Sequence, residues 1–188
     1  MKTNSNSYTI IYSAVIVVIV AFLLAFVFQG LKPQQDANVA LDKKKQILNA
    51  LNIRDLSNEA ADKTYKDVVE ADEIIDAQGH ILNAGKPGGE AAGFKLESKD
   101  YKEGRLALYV CKVNGQRKYV IPVYGMGLWG PISGYIALNE DKATVYGVYF
   151  NHESETAGLG AEIKDNAAWQ AKFQGKKLFA NGNDKTIA

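Results

Sequence analysis

One stretch of the chain combines several residue types that could bind a small molecule. It runs from His152 to Glu162 and reads His-Glu-Ser-Glu-Thr-Ala-Gly-Leu-Gly-Ala-Glu. The hydroxyl and carboxylate side chains of its first half precede Gly158-Leu159-Gly160. Backbone N–H groups in such a turn can bind an anion or the polar edge of a ring. Because the stretch directly follows a predicted strand, we expect a polar binding loop in which these N–H groups are free.

A second stretch, from Tyr124 to Tyr135, places four glycines beside large rings. It reads Tyr-Gly-Met-Gly-Leu-Trp-Gly-Pro-Ile-Ser-Gly-Tyr. Glycine lets the backbone approach a ligand closely, and tyrosine and Trp129 offer flat apolar faces with one polar group each. This composition favours a ligand-lining segment. It fits equally well a glycine-rich connection that is packed by its own aromatic side chains, and both interpretations stay open.

Other kinds of active site lack the residues that they need. His152 is not followed by the second histidine of an HExxH zinc motif, and His80 is the only other histidine. Ser133 lies in a Gly-Pro-Ile-Ser-Gly setting that only faintly resembles a hydrolase nucleophile turn. Cys111 is the single cysteine, which excludes an internal disulfide and a four-thiolate cluster. Its position in a predicted strand favours a buried, unreactive thiol.

The charge balance excludes another class of function. The 22 basic and 21 acidic side chains leave a formal charge of +1, so no overall field would attract nucleic acid. A glycine-rich segment over residues 83–93 lacks both the Gly-Lys-Ser/Thr ending of a phosphate loop and the GxGxxG spacing. We therefore interpret this segment as a surface loop, and we expect no nucleic-acid partner.

An apolar block near the N-terminus predicts a membrane anchor. The 19 residues from Ile10 to Phe28 carry no charge, and as a helix they would be roughly 28 Å long, close to the thickness of a bilayer core. A cleaved signal peptide has a shorter apolar centre and a small-residue cleavage site, which the exit at Phe28-Gln29-Gly30 does not provide. The lysines that follow the span would place the rest of the chain in the cytoplasm, but this count alone does not settle the orientation.

The remaining 155 or so residues show the pattern of an α+β domain. Asn114-Gly115 suits the type I′ turn of a hairpin between two strands, and a second strand pair follows it. Apolar residues at helical spacing continue beyond the anchor. The same spacing recurs twice, once after a candidate N-cap at Ser57 or Asn58 and once after a candidate N-cap at Asp165 or Asn166. The predicted strands are 106–113, 118–124, 133–138 and 143–150; the predicted helices lie within 33–51, from 57 through Tyr65, Val68 and Val69, and over 165–174, where Trp169 and Phe173 share a face.

These motifs together resemble the C-type subunit of the bacterial Na⁺-translocating NADH:quinone reductase and, more distantly, the G-type subunit of the ferredoxin:NAD electron-transport complex. The resemblance covers nearly the whole chain. In the segment that begins at His152, Ala157 stands where this family usually has proline. The matching segments are the N-terminal span, Pro122 to Gly130, Gly134 to Leu138, His152 to Ile163, Trp169, and Gly175 to Phe179.

The resemblance implies an FMN-carrying electron-transfer subunit, an oxidoreductase component that is not a complete catalyst. It implies a sodium-pumping translocase of the bacterial inner membrane that oxidises NADH with ubiquinone. The partners would be other subunits and the lipid bilayer, and the flavin domain would lie on the outer, periplasmic face. Residues 1–31 would be the tail and anchor, 32–95 a helical stalk and α/β lead-in, and 96–188 the FMN-binding domain. The implied cofactor-binding residues are Trp129, Glu155, Thr156, Gly158, Leu159 and Gly160.

One departure from the family concerns covalent attachment. A flavin transferase links FMN in this family to a threonine in a Ser-Gly-Ala-Thr-like motif, and the chain has no such motif up to Lys185-Thr186-Ile187-Ala188. We therefore expect a C-terminally incomplete form without the covalent anchor. The alternative function is a flavin-free, membrane-anchored binding or assembly domain, and a surface hydrolase that depends on Ser133 is a third hypothesis.

Overall fold

The computed structural model describes residues 5–179, and it begins with one long helix. Helix α1 spans Asn6–Ala50, is 45 residues long and contains Pro33. Its most apolar 18-residue window has a mean hydropathy of 3.1 and is 0% buried, which makes α1 a candidate membrane span by length and composition. This agrees with the predicted anchor and with the predicted continuation of helix after it. Thr186 and the C-terminal departure lie outside the described residues.

The chain divides into two compact units, one up to Ala40 and one from Leu41 onward. The second unit contains the end of α1 and a six-stranded antiparallel sheet in the order β2-β1-β3-β4-β5-β6. This arrangement confirms the α+β prediction. Residue 95 is the predicted boundary between the lead-in and the FMN-binding domain, and strands from both sides of it share this sheet. The three-part division of the chain stays a prediction. The strands are β1 Val69–Ile75, β2 Ile81–Asn83, β3 Leu106–Val113, β4 Gln116–Met126, β5 Pro131–Leu138 and β6 Val145–His152; the further helices are α2 Asn58–Val68, α3 Ser98–Lys102, α4 Glu162–Asp165 and α5 Ala167–Ala171.

The predicted hairpins are confirmed by their turn geometry and pairing. Asn114 and Gly115 both have positive φ angles, 50° and 78°, as a type I′ turn requires. Strand β3 pairs with β4, and β5 pairs with β6. At the start of α2 the Ser57 side chain accepts the N–H of Ala60, which confirms the predicted helix cap.

Two predicted helix boundaries are wrong. The sequence pattern places Val69 on a helix, but its ψ of 108° turns the chain into β1 after its N–H has completed the last helical bond to Tyr65. The helix expected over residues 165–174 has one of its two predicted caps, because the Asn166 side chain accepts the Trp169 N–H, but α5 already ends at Ala171. Trp169 and Phe173 still pack together, with ring centroids 5.0 Å apart.

The core lies between one face of the sheet and the helices that cover it. Cys111 is fully buried among these side chains, and burial raises the pKa of its thiol, as the strand position predicted. The end of α1 supplies large apolar side chains to the same cluster. Its members include Ile47, Leu48, Leu51, Tyr65, Val69, Tyr109, Cys111, Val120 and Ala137.

A buried carboxylate organises the glycine-rich loop that precedes β3. Asp72 is 0% exposed, and its side chain accepts the backbone N–H groups of Ala92 at 2.6 Å and of Lys86 and Phe94 at 3.2 Å. The loop is therefore an ordered part of the domain, as its bonds to a core side chain show. A buried carboxylate bonded in this way also explains why a charged residue can occupy the inner face of β1.

Asp72→Ala is expected to destabilise the domain by about 3 kcal/mol, because it leaves the buried N–H of Ala92 and the part-buried N–H groups of Lys86 and Phe94 without their acceptor. Urea unfolding of the detergent-solubilised chain, followed by circular dichroism, measures this change. The matched control is Asp67→Ala at an exposed position of α2, which should change the free energy of unfolding by less than about 0.5 kcal/mol. Equal losses in the two variants would contradict a structural role for Asp72.

Candidate functional site

The sheet brings the two chemistry-bearing segments to one edge. Strands β4, β5 and β6 are antiparallel neighbours, so the end of β4, the start of β5 and the end of β6 lie side by side. The register pairs Met126 with Pro131, and Ile132 with His152. The turn between β4 and β5, residues 127–130, is called the hairpin tip below. The segment 155–161 after β6 is called the glycine turn.

The hairpin tip is a tight turn that exposes two large apolar side chains. Gly127 N–H donates to Gly130 O at 2.8 Å, which closes the turn. Leu128 and Trp129 are 82% and 67% exposed. Of the two interpretations of this segment, the structure therefore favours the ligand-lining one over aromatic rings that pack their own connection.

The glycine turn folds around a single carbonyl group. Thr156 O accepts the N–H groups of Leu159 and Ala161, both at 3.1 Å. The expectation that all three N–H groups of Gly158-Leu159-Gly160 are free is thus wrong for Leu159, because its N–H closes the turn. Within residues 5–179, the N–H groups of Gly158 and Gly160 have no protein acceptor. They remain as donors beside the Leu159 side chain, which is 73% exposed.

Glu155 lies between the two segments. Its Oε1 accepts the backbone N–H of Trp129 at 3.1 Å, so a side chain of the glycine turn binds the backbone of the hairpin tip. Its own N–H donates to His152 Nδ1 at 3.2 Å. His152 thus serves as an acceptor within the turn, and within the part of the chain that the structure describes no group of three His, Cys, Asp or Glu side chains could hold a metal ion.

A buried polar side chain holds α4, the short helix that follows the glycine turn. Gln170, on α5, is 1% exposed, and its amide donates to Ile163 O at 2.8 Å and to Lys164 O at 3.1 Å in α4. Its oxygen accepts from Arg54, which also donates to Val148 O in β6. This network ties α4 to the sheet edge. The sequence analysis missed it, because neither Arg54 nor Gln170 belongs to a recognisable motif.

Residues 127–187 match the family model of the FMN-binding domain. The C-type subunit (NqrC) of the Na⁺-translocating NADH-quinone reductase of Haemophilus ducreyi is 31% identical over 204 residues, which are 98% of this chain and 77% of that protein. The chain belongs to this NqrC family. The corresponding subunit of Neisseria meningitidis serogroup A is 30% identical, over 94% of this chain and 74% of the relative.

Solved structures agree with this membership of the NqrC family. The crystal structure of the Parabacteroides distasonis relative superimposes with a TM-score of 0.73 at 34% identity, over 81% of this chain and 73% of that one. NqrC of Shewanella oneidensis superimposes with a TM-score of 0.59 at 22% identity, over 77% and 73% of the two chains, and shows the shared fold. The sequence-based resemblance is confirmed by these comparisons.

The site has the donors and apolar faces that a flavin needs. An isoalloxazine ring presents two flat apolar faces and a polar edge with several acceptors. In this member of the NqrC family, Trp129 and Leu159 offer exposed apolar surface, while Gly158 and Gly160 offer N–H groups without acceptors among the described residues. A Cβ at Gly158 would meet no atom within 4 Å, so the space over this part of the turn is open. These residues fit an FMN ring bound at an accessible surface.

Proposed function

We propose that this chain is the FMN-carrying electron-transfer subunit of a membrane-bound NADH:quinone reductase that pumps Na⁺. The observation that carries the proposal is the convergence of the hairpin tip and the glycine turn within the segment that matches the FMN-binding domain. A flavin supplies reversible electron uptake and release when bound. The chain therefore contributes binding and orientation, and other subunits of the complex are its electron-transfer partners.

The proposed ring contacts divide into apolar walls and backbone donors. Trp129 and Leu159 would cover apolar surface of the ring, and the N–H groups of Gly158 and Gly160 would bind polar atoms at its edge. Thr156 shapes the turn, because its carbonyl accepts the Leu159 N–H and so fixes the backbone from which the Leu159 side chain projects.

The mode of attachment is a separate proposal. The two segments supply the ring contacts through reversible interactions, and no Ser-Gly-Ala-Thr-like segment occurs between Met1 and Ala188. A flavin transferase would act on family members that carry that segment. We expect FMN to dissociate on denaturation from a polypeptide that consists of residues 1–188 alone, so that its band on a denaturing gel shows no flavin fluorescence. A fluorescent band would contradict reversible binding.

The proposed location is the bacterial inner membrane, with α1 in the lipid bilayer and the flavin domain on the periplasmic face. Support comes from the apolar window of α1 and from the NqrC family, in which a membrane complex is the working unit. An impermeant amine reagent is expected to label exposed lysines, such as Lys63 and Lys66, in intact spheroplasts. Labelling only after lysis would place the domain on the cytoplasmic side.

Titration of the purified full chain with FMN separates this function from the alternative, a flavin-free assembly domain. We expect saturable binding at a one-to-one ratio, with quenching of the flavin fluorescence by the adjacent Trp129 ring. A chain that still assembles with partner subunits but does not bind FMN would support the alternative. The match of residues 127–187 to the FMN-binding domain favours the flavin-binding function over this alternative.

A further inference from the structure

We propose that Glu155 is a positioning residue whose carboxylate clasps the hairpin tip to the glycine turn. The consequence of the clasp for the flavin rests on the proposed function. The contact itself joins two parts of the protein and can be tested without any flavin. Most polar atoms at the edge of a flavin ring are acceptors, which N–H donors match, and N3–H is the one donor that a carboxylate could accept.

The carboxylate contacts one backbone segment with each oxygen. Oε1 accepts the Trp129 N–H at 3.1 Å, and a Cβ added at Gly127 would collide with the same oxygen. On the other side, a Cβ at Gly160 would lie 2.6 Å from Oε2 and 3.0 Å from the Glu155 Cβ. Both segments thus approach Glu155 more closely than any residue other than glycine allows.

The backbone of Glu155 is itself held in place. Its N–H donates to His152 Nδ1 at 3.2 Å, and the neighbouring Glu153 N–H donates to Pro131 O at 3.2 Å. The carboxylate therefore extends from a part of the turn that is bonded to the end of β6 and the start of β5. A carboxylate oxygen that accepts an N–H forms a stronger bond than a neutral acceptor does.

The clasp fixes the relative positions of the two apolar walls. Trp129 extends from the hairpin tip and Leu159 from the glycine turn, and both side chains are largely exposed, so neither is held by packing. Among the described residues 5–179, the bond from Trp129 N–H to Glu155 is the only side-chain hydrogen bond between the hairpin tip and the glycine turn. Without it, the walls and the glycine N–H donors would be held only through their strands and would move more freely relative to one another, so binding would carry the added entropic cost of ordering them.

The direct test is amide hydrogen exchange at Trp129 in the flavin-free chain of residues 1–188. Glu155→Ala removes the acceptor and should accelerate exchange of the Trp129 N–H by about tenfold. Glu155→Gln retains an acceptor oxygen and should stay within about twofold of the original chain. The matched control is Glu153→Ala, two residues away and exposed, which should leave Trp129 exchange unchanged.

Exchange at Trp129 that is unaltered by Glu155→Ala, or accelerated equally by Glu155→Gln, would overturn the proposal. Gly160→Ala provides a second test if Glu155→Ala fails to fold. Its methyl group pushes on the carboxylate from the glycine turn, and it should accelerate Trp129 exchange although residue 160 is distant in sequence. Unchanged exchange in that variant would also overturn the clasp.

FMN titration of the same variants distinguishes failure of the clasp from failure of the proposed function. If the clasp positions the flavin site, Glu155→Ala should raise the Kd for FMN by about tenfold and Glu155→Gln by less than about threefold. An original chain that binds no FMN would refute the proposed function and leave the exchange result to decide on the clasp. Normal FMN binding by Glu155→Ala with accelerated exchange would refute the positioning role.

Discussion

Leu159→Asp is expected to raise the Kd for FMN by about thirtyfold or more, which corresponds to about 2 kcal/mol of binding free energy. The change removes an apolar wall of the proposed site and places a carboxylate near an anionic cofactor. Because the Leu159 side chain is 73% exposed, the free energy of unfolding should change by less than about 0.5 kcal/mol. FMN fluorescence titration and urea unfolding of the same preparation measure the two effects.

Leu82→Asp is the matched control for this experiment. Leu82 is 56% exposed and lies in β2, at the opposite end of the strand order from β6. The same substitution there introduces the same charge without contact to the site, so FMN affinity should stay within about twofold. Equal weakening in both variants would mean that overall charge, and not the glycine turn, governs binding.

Gly127→Ala is expected to weaken FMN binding by about tenfold and to destabilise the domain by about 1 to 3 kcal/mol. The added methyl group would collide with Glu155 Oε1 and would lie 2.8 Å from the Ile132 Cδ1 atom. To accommodate it, the hairpin tip must move away from the glycine turn. Titration with FMN and thermal unfolding report the two losses.

Gly125→Ala is the control for that substitution, two residues earlier and within β4. A Cβ at Gly125 meets no atom within 4 Å, so both FMN affinity and stability should remain close to those of the original chain. The contrast tests whether space, and not glycine content, matters at the hairpin tip. Similar losses at both positions would contradict the close approach of Glu155.

The larger features of the fold could be predicted because they depend on local patterns. The Asn114-Gly115 turn determines the register of β3 against β4, and alternation of apolar residues marks the strands. The apolar block from Ile10 to Phe28 predicted α1 as a candidate span for a similar reason. Both segments of the site were also identified from composition, and the sheet brings them to one edge.

The contacts within the site could not be predicted in this way. Whether Leu159 N–H is free depends on how the turn closes around Thr156 O, and the partner of Glu155 depends on the registers of β4, β5 and β6 together. The start of the last helix was predicted correctly, because the Asn166 side chain caps α5. Its length was overestimated, because Phe173 still packs against Trp169 although α5 ends at Ala171.

The most direct test of the account is FMN titration of a Trp169→Phe chain, in which Trp129 is the only remaining tryptophan. We expect saturable, one-to-one quenching of the Trp129 emission, because the proposed site places the flavin against this ring. The reciprocal Trp129→Phe chain reports from Trp169, which packs against Phe150 and Phe173, and should show weaker quenching together with a higher Kd. Absence of saturable quenching at Trp129 would contradict flavin binding between the hairpin tip and the glycine turn.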